Sequence, residues 1–192
     1  MIQFFIILLL SLLYIINKKE TFITQMKLSS NSFNNNEVLH KKYICEDKVG
    51  LNYSPHFSWE NINDSNIKSY SLLFEDLDAP HVRDTNWTHW LVPFIEKRSG
   101  NSIHLTETIS DGKSELLIGQ SQINIRSGIN SWDIHGYRGP CPPKGSSHKY
   151  KITVYALDII IKSNKYNRKT FLEKINNHIL YKGELHCTYQ TN

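Results

Sequence analysis

The chain has 192 residues, of which 40% are hydrophobic and 21% charged, a composition typical of a globular protein with a sizeable core. Its formal net charge of +4 arises from 22 basic and 18 acidic residues, and no run of lysine or arginine exceeds two. This pattern lacks the clustered basic face of a nucleic-acid-binding protein. We therefore expect one main domain and no nucleic-acid partner.

The amino terminus carries an apolar run at residues 4–16. The run is shorter than the ~18–20 apolar residues of a membrane-spanning helix, but its length suits the core of a signal peptide. No basic residue precedes it, Lys18 and Lys19 follow it, and no A-x-A-like cleavage site is visible. Residues 1–25 are thus a secretory signal, a short anchor or an extension. The expected location is the secretory pathway or a membrane in the first two cases, and the cytoplasm in the third.

Residues 26–192 are predicted to form a β-rich domain that does not need the preceding segment for its core. Residues 42–46 fit a short strand, and apolar runs at 69–77 and 88–95 predict two longer ones. Pro93 lies inside the last of these runs and has no N–H to donate. We expect a sheet edge or a β-bulge at that position.

The second half of the chain contains a glycine- and proline-rich stretch at residues 128–145. A stretch of this length inside a compact domain predicts an ordered functional loop, and its aromatic residues Trp132 and Tyr137 argue against disorder. Residues 148–158 alternate between two faces, which predicts a strand.

The last part of the chain predicts one helix and one strand. Residues 170–179 have helical spacing of apolar side chains, with Thr170 as the N-cap and Glu173 at the capping-box position. After Gly183, residues 185–189 alternate as a final strand. The whole pattern is mostly β with one late helix.

Two polar clusters lie where predicted strands meet loops. In the first, E-D-L-D-A-P places Asp76 at the end of one strand, and T-H-W-L-V places His89 at the start of the next. In the second, G-P-C-P-P-K-G-S-S-H-K-Y places His148 and Tyr150 two residues apart, on one face of a strand. Together the two imidazoles and the hydroxyl can donate hydrogen bonds, while Asp76 orients one imidazole or keeps it protonated. The set predicts a small pocket for a phosphate or carboxylate group.

The three cysteines are Cys45, Cys141 and Cys187, and none belongs to a CxxC pair. Zinc-site and thioredoxin spacings are therefore absent. Three cysteines allow at most one intramolecular disulfide, with one thiol left over. Nucleophilic catalysis by Cys141 beside a histidine is one alternative for the function.

The two clusters resemble the signature motifs of the phosphatidylethanolamine-binding protein (PEBP) family, and the similarity is greatest to its bacterial-type, Raf-kinase-inhibitor-like branch. Further similar stretches, among them K-K-Y-I-C, S-P-H-F-S-W, V-Y-A-L-D and I-L-Y-K-G-E-L-H-C-T-Y, extend the resemblance over residues 26–189. It implies a central antiparallel β-sheet packed against a smaller sheet, with a late C-terminal helix. The chain departs from the family at Leu77, where a proline is usual, which would loosen the turn after Asp76.

The resemblance also implies a ligand pocket at the edge of the central sheet. Carried over by motif, its residues are Asp76, Trp87, His89, Pro142, His148 and Tyr150, with Asp78 adjacent. The implied function is non-enzymatic binding of a phosphate-like anion, as a phospholipid head group or phosphorylated ligand, without a cofactor. Family members also inhibit kinases or serine proteases by binding them, so such a partner and association with a membrane surface stay open.

Two further expectations concern the chemistry of the site. A metal-dependent enzyme is the alternative function, since Asp76, His89 and His148 could form a two-histidine, one-carboxylate metal site. For the anion pocket, we expect Asp76 to hold a protonated His89, which would donate a charge-assisted hydrogen bond to the ligand. Because histidine titrates near pH ~6.5, anion affinity should then fall as the pH rises.

Overall fold

The computed structural model describes residues 23–48, 50–79, 86–108, 116–118 and 123–191. A large and a small β-sheet enclose a shared core, and an α-helix lies against the other face of the large sheet. The apolar run at residues 4–16 lies outside the described residues. Within them, no helix is long and apolar enough to cross a membrane.

The strands, in chain order, are β1 (Thr24–Gln25), β2 (Leu28–Ser29), β3 (Glu37–Val38), β4 (Phe57–Glu60), β5 (Ser69–Asp76), β6 (Trp87–Glu96), β7 (Ser102–Leu105), β8 (Leu116–Ile118), β9 (Asn124–Arg126), β10 (Ser147–Leu157) and β11 (Ile179–Gln190). The helix α1 spans Arg168–Ile175, and short 3-10 helices span Lys41–Tyr43 and Glu46–Lys48. The large sheet has the order β1-β11-β10-β5-β6-β9-β8, with β3 also paired to β11. The small sheet has the order β2-β4-β7.

The predicted fold class, a large sheet against a smaller one with a late helix, is confirmed with one change. The long strands pair antiparallel, but β1 and β3 pair parallel with β11, so the large sheet is mixed. Strand β1 also precedes Met26, the predicted start of the domain. Thr24 and Gln25 pair with β11 through their main chains, while their side chains are exposed. The sheet therefore begins before Met26, although these two side chains add nothing to the core.

Strand β5 is the centre of the large sheet, and every one of its residues is buried. Its side chains alternate between the two faces of the sheet. Leu72 and Phe74 belong to the core that includes Trp59 of the small sheet. Leu73 belongs to a second cluster that includes Phe171 of α1. Because both faces are covered, the consecutive apolar residues 72–74 are all buried before the terminal carboxylates of β5.

The bulge expected at Pro93 is present. The pairing of β5 with β6 shifts register there, so that two β6 residues lie opposite Ser71. The Ser71 hydroxyl donates to the Pro93 carbonyl at 2.7 Å. The proline thus lies in an interior strand at a bulge, where the ladder needs no N–H from it.

The helix begins earlier than predicted, and its N-cap is Asn167 instead of Thr170. The Asn167 side chain accepts from the Thr170 amide at 3.1 Å, and the Thr170 hydroxyl accepts from the Asn167 amide at 3.2 Å. Thr170 therefore takes the capping-box position that was assigned to Glu173. Phe171 and Ile175 form the buried side of the helix.

Residues 42–46 do not form the predicted strand. Their first part belongs to the 3-10 helix Lys41–Tyr43, which begins where the His40 ring accepts the Lys42 amide at 3.2 Å. Beyond it, the Cys45 amide donates to a carbonyl of the 128–145 loop. The segment is thus held by side-chain and loop contacts that a strand pattern does not reveal.

The last strand is longer than predicted, since β11 begins at Ile179 and runs through Gly183. A Cβ on Gly183 would lie 2.6 Å from the Met26 carbonyl oxygen. The Met26 amide also donates to the Lys182 carbonyl at 2.8 Å. The glycine therefore permits a close main-chain approach within the strand instead of preceding it.

We expect a protein beginning at Met26 to fold but to lose about 1 kcal/mol of unfolding free energy relative to one beginning at Ile23, because it lacks the main-chain pairing of Thr24 and Gln25. Urea denaturation of the two proteins measures the difference. Equal stability would show that β1 contributes nothing. Failure of the Met26 protein to fold would show that the preceding residues are essential.

Candidate functional site

The two sequence clusters meet at one end of the large sheet, across the neighbouring strands β10, β5 and β6. Asp76 pairs with Tyr150 on one side and with Trp87 on the other. A cavity of about 200 Å³ opens at this end, and we call it the signature cavity. Its lining consists of Asp76, Ala79, Trp87, His89, Trp132, Cys141, Pro142, Pro143 and His148.

Five of the seven predicted site residues line the signature cavity, whereas Asp78 and Tyr150 do not. The Asp78 carboxylate accepts the Lys149 amide at 2.7 Å, so it joins β10 to the turn after β5. Tyr150 is fully buried, with its ring centroid 5.4 Å from that of His89. Both residues support the cavity from outside its wall.

Asp76 is bonded to His148, and not to His89 as expected. Its Oδ2 accepts from Nδ1 of His148 at 2.7 Å. Its Oδ1 accepts from the amides of Asp78 and Ala79, each at 2.9 Å, which closes an Asx-type turn. The carboxylate therefore orients His148 and shapes the chain after β5.

Leu77 does not loosen this turn, although the family usually has proline there. Its amide donates to the Lys149 carbonyl at 2.9 Å, a bond that proline cannot make. The pairing between the end of β5 and β10 is thereby extended by one residue. The departure from the family pattern thus adds a hydrogen bond beside Asp76.

His89 is held by the main chain of the 128–145 loop. Its Nδ1 donates to the Arg138 carbonyl at 2.6 Å, and its own carbonyl accepts the Arg138 amide at 3.0 Å. Because Nδ1 carries the proton, Nε2 of the neutral ring is an acceptor. Nε2 is buried and has no hydrogen-bond partner among the described residues.

The surroundings of His89 keep it neutral. Its ring lies 5.2 Å from the Trp132 ring and 5.4 Å from the Tyr150 ring. Burial lowers the pKa of His89 to about 4, an effect that the Arg138 carbonyl and the charge of Asp76 oppose only in part. The expectation that Asp76 holds His89 is therefore wrong, since Asp76 contacts His148, and burial favours the neutral form of His89.

Tyr150 provides a second orphaned polar group. Its buried hydroxyl has no hydrogen-bond partner in the described part of the chain. Burial, together with the nearby charge of Asp76, raises the pKa of Tyr150 well above its usual range, so the hydroxyl keeps its proton. Buried polar groups without partners are uncommon, and His89 Nε2 and the Tyr150 hydroxyl belong to neighbouring rings.

Trp132 is one of four lining residues that the sequence pattern did not assign to the site, with Ala79, Cys141 and Pro143. Asn130 accepts the Trp132 amide at 2.9 Å, and Ser131 exchanges two hydrogen bonds with the main chain of Thr88, at 2.8 and 3.0 Å. These bonds anchor the 128–145 loop to β6 and set Trp132 against Trp87, with ring centroids 5.1 Å apart. The sequence feature that could have assigned Trp132 to the site is its position as an aromatic residue in a loop predicted to be ordered and functional.

A disulfide joins Cys45 to Cys141 and fixes the other side of the rim, with the two Cα atoms 5.6 Å apart. The Cys45 amide also donates to the Pro140 carbonyl at 3.1 Å. Cys187 is the remaining thiol and is buried. Since Cys141 has no free thiol in this structure, its proposed role as a nucleophile is wrong.

The metal-enzyme alternative is not supported by the geometry of its three predicted ligands. In the part of the chain that the structure describes, the one converging group of three metal-type donors is the disulfide sulfurs with Asp47. Asp76, His89 and His148 do not form such a group. The Nδ1 atoms of both histidines are occupied, one by a carbonyl and one by the carboxylate.

We expect Gly139→Ala to cost about 1–3 kcal/mol of unfolding free energy, because an added Cβ would lie 2.3 Å from the Tyr43 carbonyl oxygen and force the rim away from that segment. Gly145→Ala is the control, since nothing lies within 4 Å of its Cβ position and only its positive φ of +79° is strained. Urea denaturation compares the two. A smaller loss for Gly139→Ala than for Gly145→Ala would contradict the close contact.

Sequence comparisons agree with the motifs. A family model described as phosphatidylethanolamine-binding protein matches residues 29–190. A UPF0098 protein of Chlamydia muridarum is 33% identical over 168 residues, which cover 86% of this chain and 99% of that protein. A UPF0098 protein of Pyrococcus horikoshii is 32% identical over 163 residues, covering 84% of this chain and 75% of that protein.

Solved structures agree with the fold. The crystal structure of a PEBP homolog from Chlamydia trachomatis matches with a TM-score of 0.68 and 30% identity, covering 88% of this chain and 99% of that one. E. coli YbcL, described as a member of the mammalian PEBP family, shares the fold with a TM-score of 0.73 at 22% identity, covering 88% of this chain and 100% of that one. From its motifs, fold and relatives, the chain belongs to the phosphatidylethanolamine-binding protein family.

Proposed function

We propose that this protein is a non-enzymatic binding protein whose signature cavity takes a phosphate-like anion. The observation that carries the proposal is His89, which lines the cavity and has a buried Nε2 without a partner in the described chain. An atom in that state gains a hydrogen bond when a ligand supplies the partner. The family's described ligand, phosphatidylethanolamine, carries such an anion in its head group.

Anion binding at Nε2 requires a proton there. On the neutral ring Nε2 is an acceptor and would repel an oxyanion. When an anion enters, its negative charge favours the imidazolium, so His89 takes up a proton from solvent or from the ligand. The ring then donates a charge-assisted hydrogen bond, about twice as strong as a neutral one. Binding is thus coupled to protonation of His89.

The charge of Asp76 is the main electrostatic obstacle to an anion. The Asp76 carboxylate accepts three hydrogen bonds, from His148 and from the Asp78 and Ala79 amides, and these partly offset its negative charge. The Trp87 ring, which also lines the cavity, suits the ammonium group of an ethanolamine, whereas the Arg138 guanidinium already lies over the Trp132 ring, 4.8 Å from its centroid. A zwitterionic head group therefore fits better than a bare anion, with its phosphate at His89.

We also propose that this protein catalyses no reaction at the signature cavity. Further partners remain predictions. The residues at the cavity bind and orient, and His89 exchanges a proton only with the occupant or solvent. Inhibition of a kinase or a protease, and association with a membrane surface, stay predictions from the family resemblance.

A comparison of phosphoethanolamine with inorganic phosphate tests whether the cavity takes a head group. If it does, phosphoethanolamine binds more tightly than inorganic phosphate.

We expect affinity for methanesulfonate, an anion of fixed charge, to fall about tenfold per pH unit as the pH rises from 4 towards the higher pKa that His89 has in the complex. The sign follows because the free His89 pKa of about 4 lies below the bound value, so binding takes up a proton. His89→Ala should abolish most binding and the pH dependence. His178→Ala is the control, since His178 pairs with Asp158 away from the cavity. Titration calorimetry measures both effects.

The Asp76→Asn variant distinguishes two effects of the Asp76 carboxylate, the orientation of His148 and the electrostatic repulsion of an anion. We expect weaker anion binding despite the lost negative charge, because His148 loses the carboxylate that orients it. Tighter binding would show that Asp76 acts only as a repulsive neighbour. Affinity independent of pH in the unmodified protein would refute the coupling to His89.

A further inference from the structure

A second cavity lies on the opposite side of β6 from the signature cavity. Thr88 and His89 are consecutive on that strand, so their side chains point to opposite faces of the large sheet. Thr88 lines a cavity of about 260 Å³ together with Ser131, Asp133, Asn167, Arg168 and Lys169, among others. We call it the helix-start cavity, and it shares no lining residue with the signature cavity.

Thr88 is the observation that points to a ligand in this cavity. Its side chain is 1% exposed, and its Oγ1 has no hydrogen-bond partner in the described ranges of the chain. Its main-chain groups are both satisfied by Ser131. A buried hydroxyl without a partner costs free energy. At this position an occupant of the cavity would supply the missing bond.

Helix α1 begins at the same cavity, which Asn167, Arg168 and Lys169 line. Among the amides of the first turn, the Asn167 side chain accepts that of Thr170, so the amides of the first two helical residues, Arg168 and Lys169, have no intrahelical partner. These amides lie at the positive end of the helix dipole. Helix starts of this kind bind anions through their N–H groups.

Arg168 is already positioned at the cavity by a buried carboxylate. Its Nε donates to Glu75 Oε1 at 2.6 Å, and the Glu75 side chain is 2% exposed. This contact leaves the terminal nitrogens of the guanidinium for another acceptor. Lys151, 4.0 Å from Glu75, further offsets the buried charge. The guanidinium is thus held in place before any ligand arrives.

We propose that the helix-start cavity binds a tetrahedral oxyanion, namely phosphate, free or as the terminal group of a small phosphomonoester. Its lining residues carry three kinds of donor: the Thr88 hydroxyl, the Arg168 guanidinium and the two helix-start amides. Several donors match the several oxygens of phosphate, whereas a carboxylate offers only two. Lys169 adds positive charge, and Asp133 also lines the cavity.

Titration of the ¹⁵N-labelled full chain with inorganic phosphate, at ionic strength held constant with chloride, tests the proposal. The Arg168 and Lys169 amide signals should shift and saturate. Thr88→Val should weaken phosphate binding about tenfold, the effect of losing a hydrogen bond to a charged group. Arg168→Lys, which keeps the charge but loses the guanidinium fork, should also weaken it. Lys174→Gln on the same helix is the control and should bind phosphate unchanged.

One further variant distinguishes phosphate in the helix-start cavity from phosphate bound elsewhere on the protein. His89→Ala, on the other face of the sheet, should leave the amide shifts intact. Tighter binding of glycerol phosphate than of inorganic phosphate identifies a phosphomonoester site, and the reverse order identifies a site for the free ion. The proposal is overturned if the amide signals do not saturate, if Thr88→Val binds phosphate normally or if His89→Ala abolishes the shifts.

Discussion

The pair of hydrogen bonds between His89 and the main chain of Arg138 determines most of what this site can do. The bond from Nδ1 to the Arg138 carbonyl fixes the tautomer of His89. The bond from the Arg138 amide holds the 128–145 loop against β6. Because the proton is on Nδ1, the buried Nε2 is left as an acceptor beside the cavity. Without this pair, the loop that carries Trp132 and Pro142 would have one anchor fewer. The His89 ring could then rotate to find a hydrogen-bond partner for Nε2.

The site combines features that would be unfavourable in an ordinary core. His89 Nε2 and the Tyr150 hydroxyl are both buried without partners among the residues that the structure describes, and the carboxylate of Asp76 is nearly buried beside them. Buried polar groups without hydrogen-bond partners are expected where a protein binds a ligand. The disulfide and the bonds of Asn130 and Ser131 hold the rim in place, so the orphaned groups cannot relax towards each other.

The sequence predicted the parts of the fold and site that depend on local patterns. Strand β10 followed from alternation, the bulge at Pro93 from the missing N–H, and the common position of Asp76 and His89 from the motifs. The strand order β10-β5-β6 puts both histidines next to β5, and the choice of His148 over His89 as the partner of Asp76 depends on the contact of His89 with the Arg138 carbonyl, which periodicity does not give. Likewise, the wall position of Trp132 depends on loop hydrogen bonds between residues distant in sequence.

The direct test of the account is the protonation state of His89, read from its ring ¹⁵N chemical shifts across a pH series, with and without saturating methanesulfonate. The account predicts that in the free protein Nδ1 carries the proton and Nε2 does not at pH 7, with a pKa of about 4. It also predicts that the bound anion raises this pKa. A doubly protonated His89 in the free protein at pH 7, or a pKa that the bound anion does not change, would contradict it.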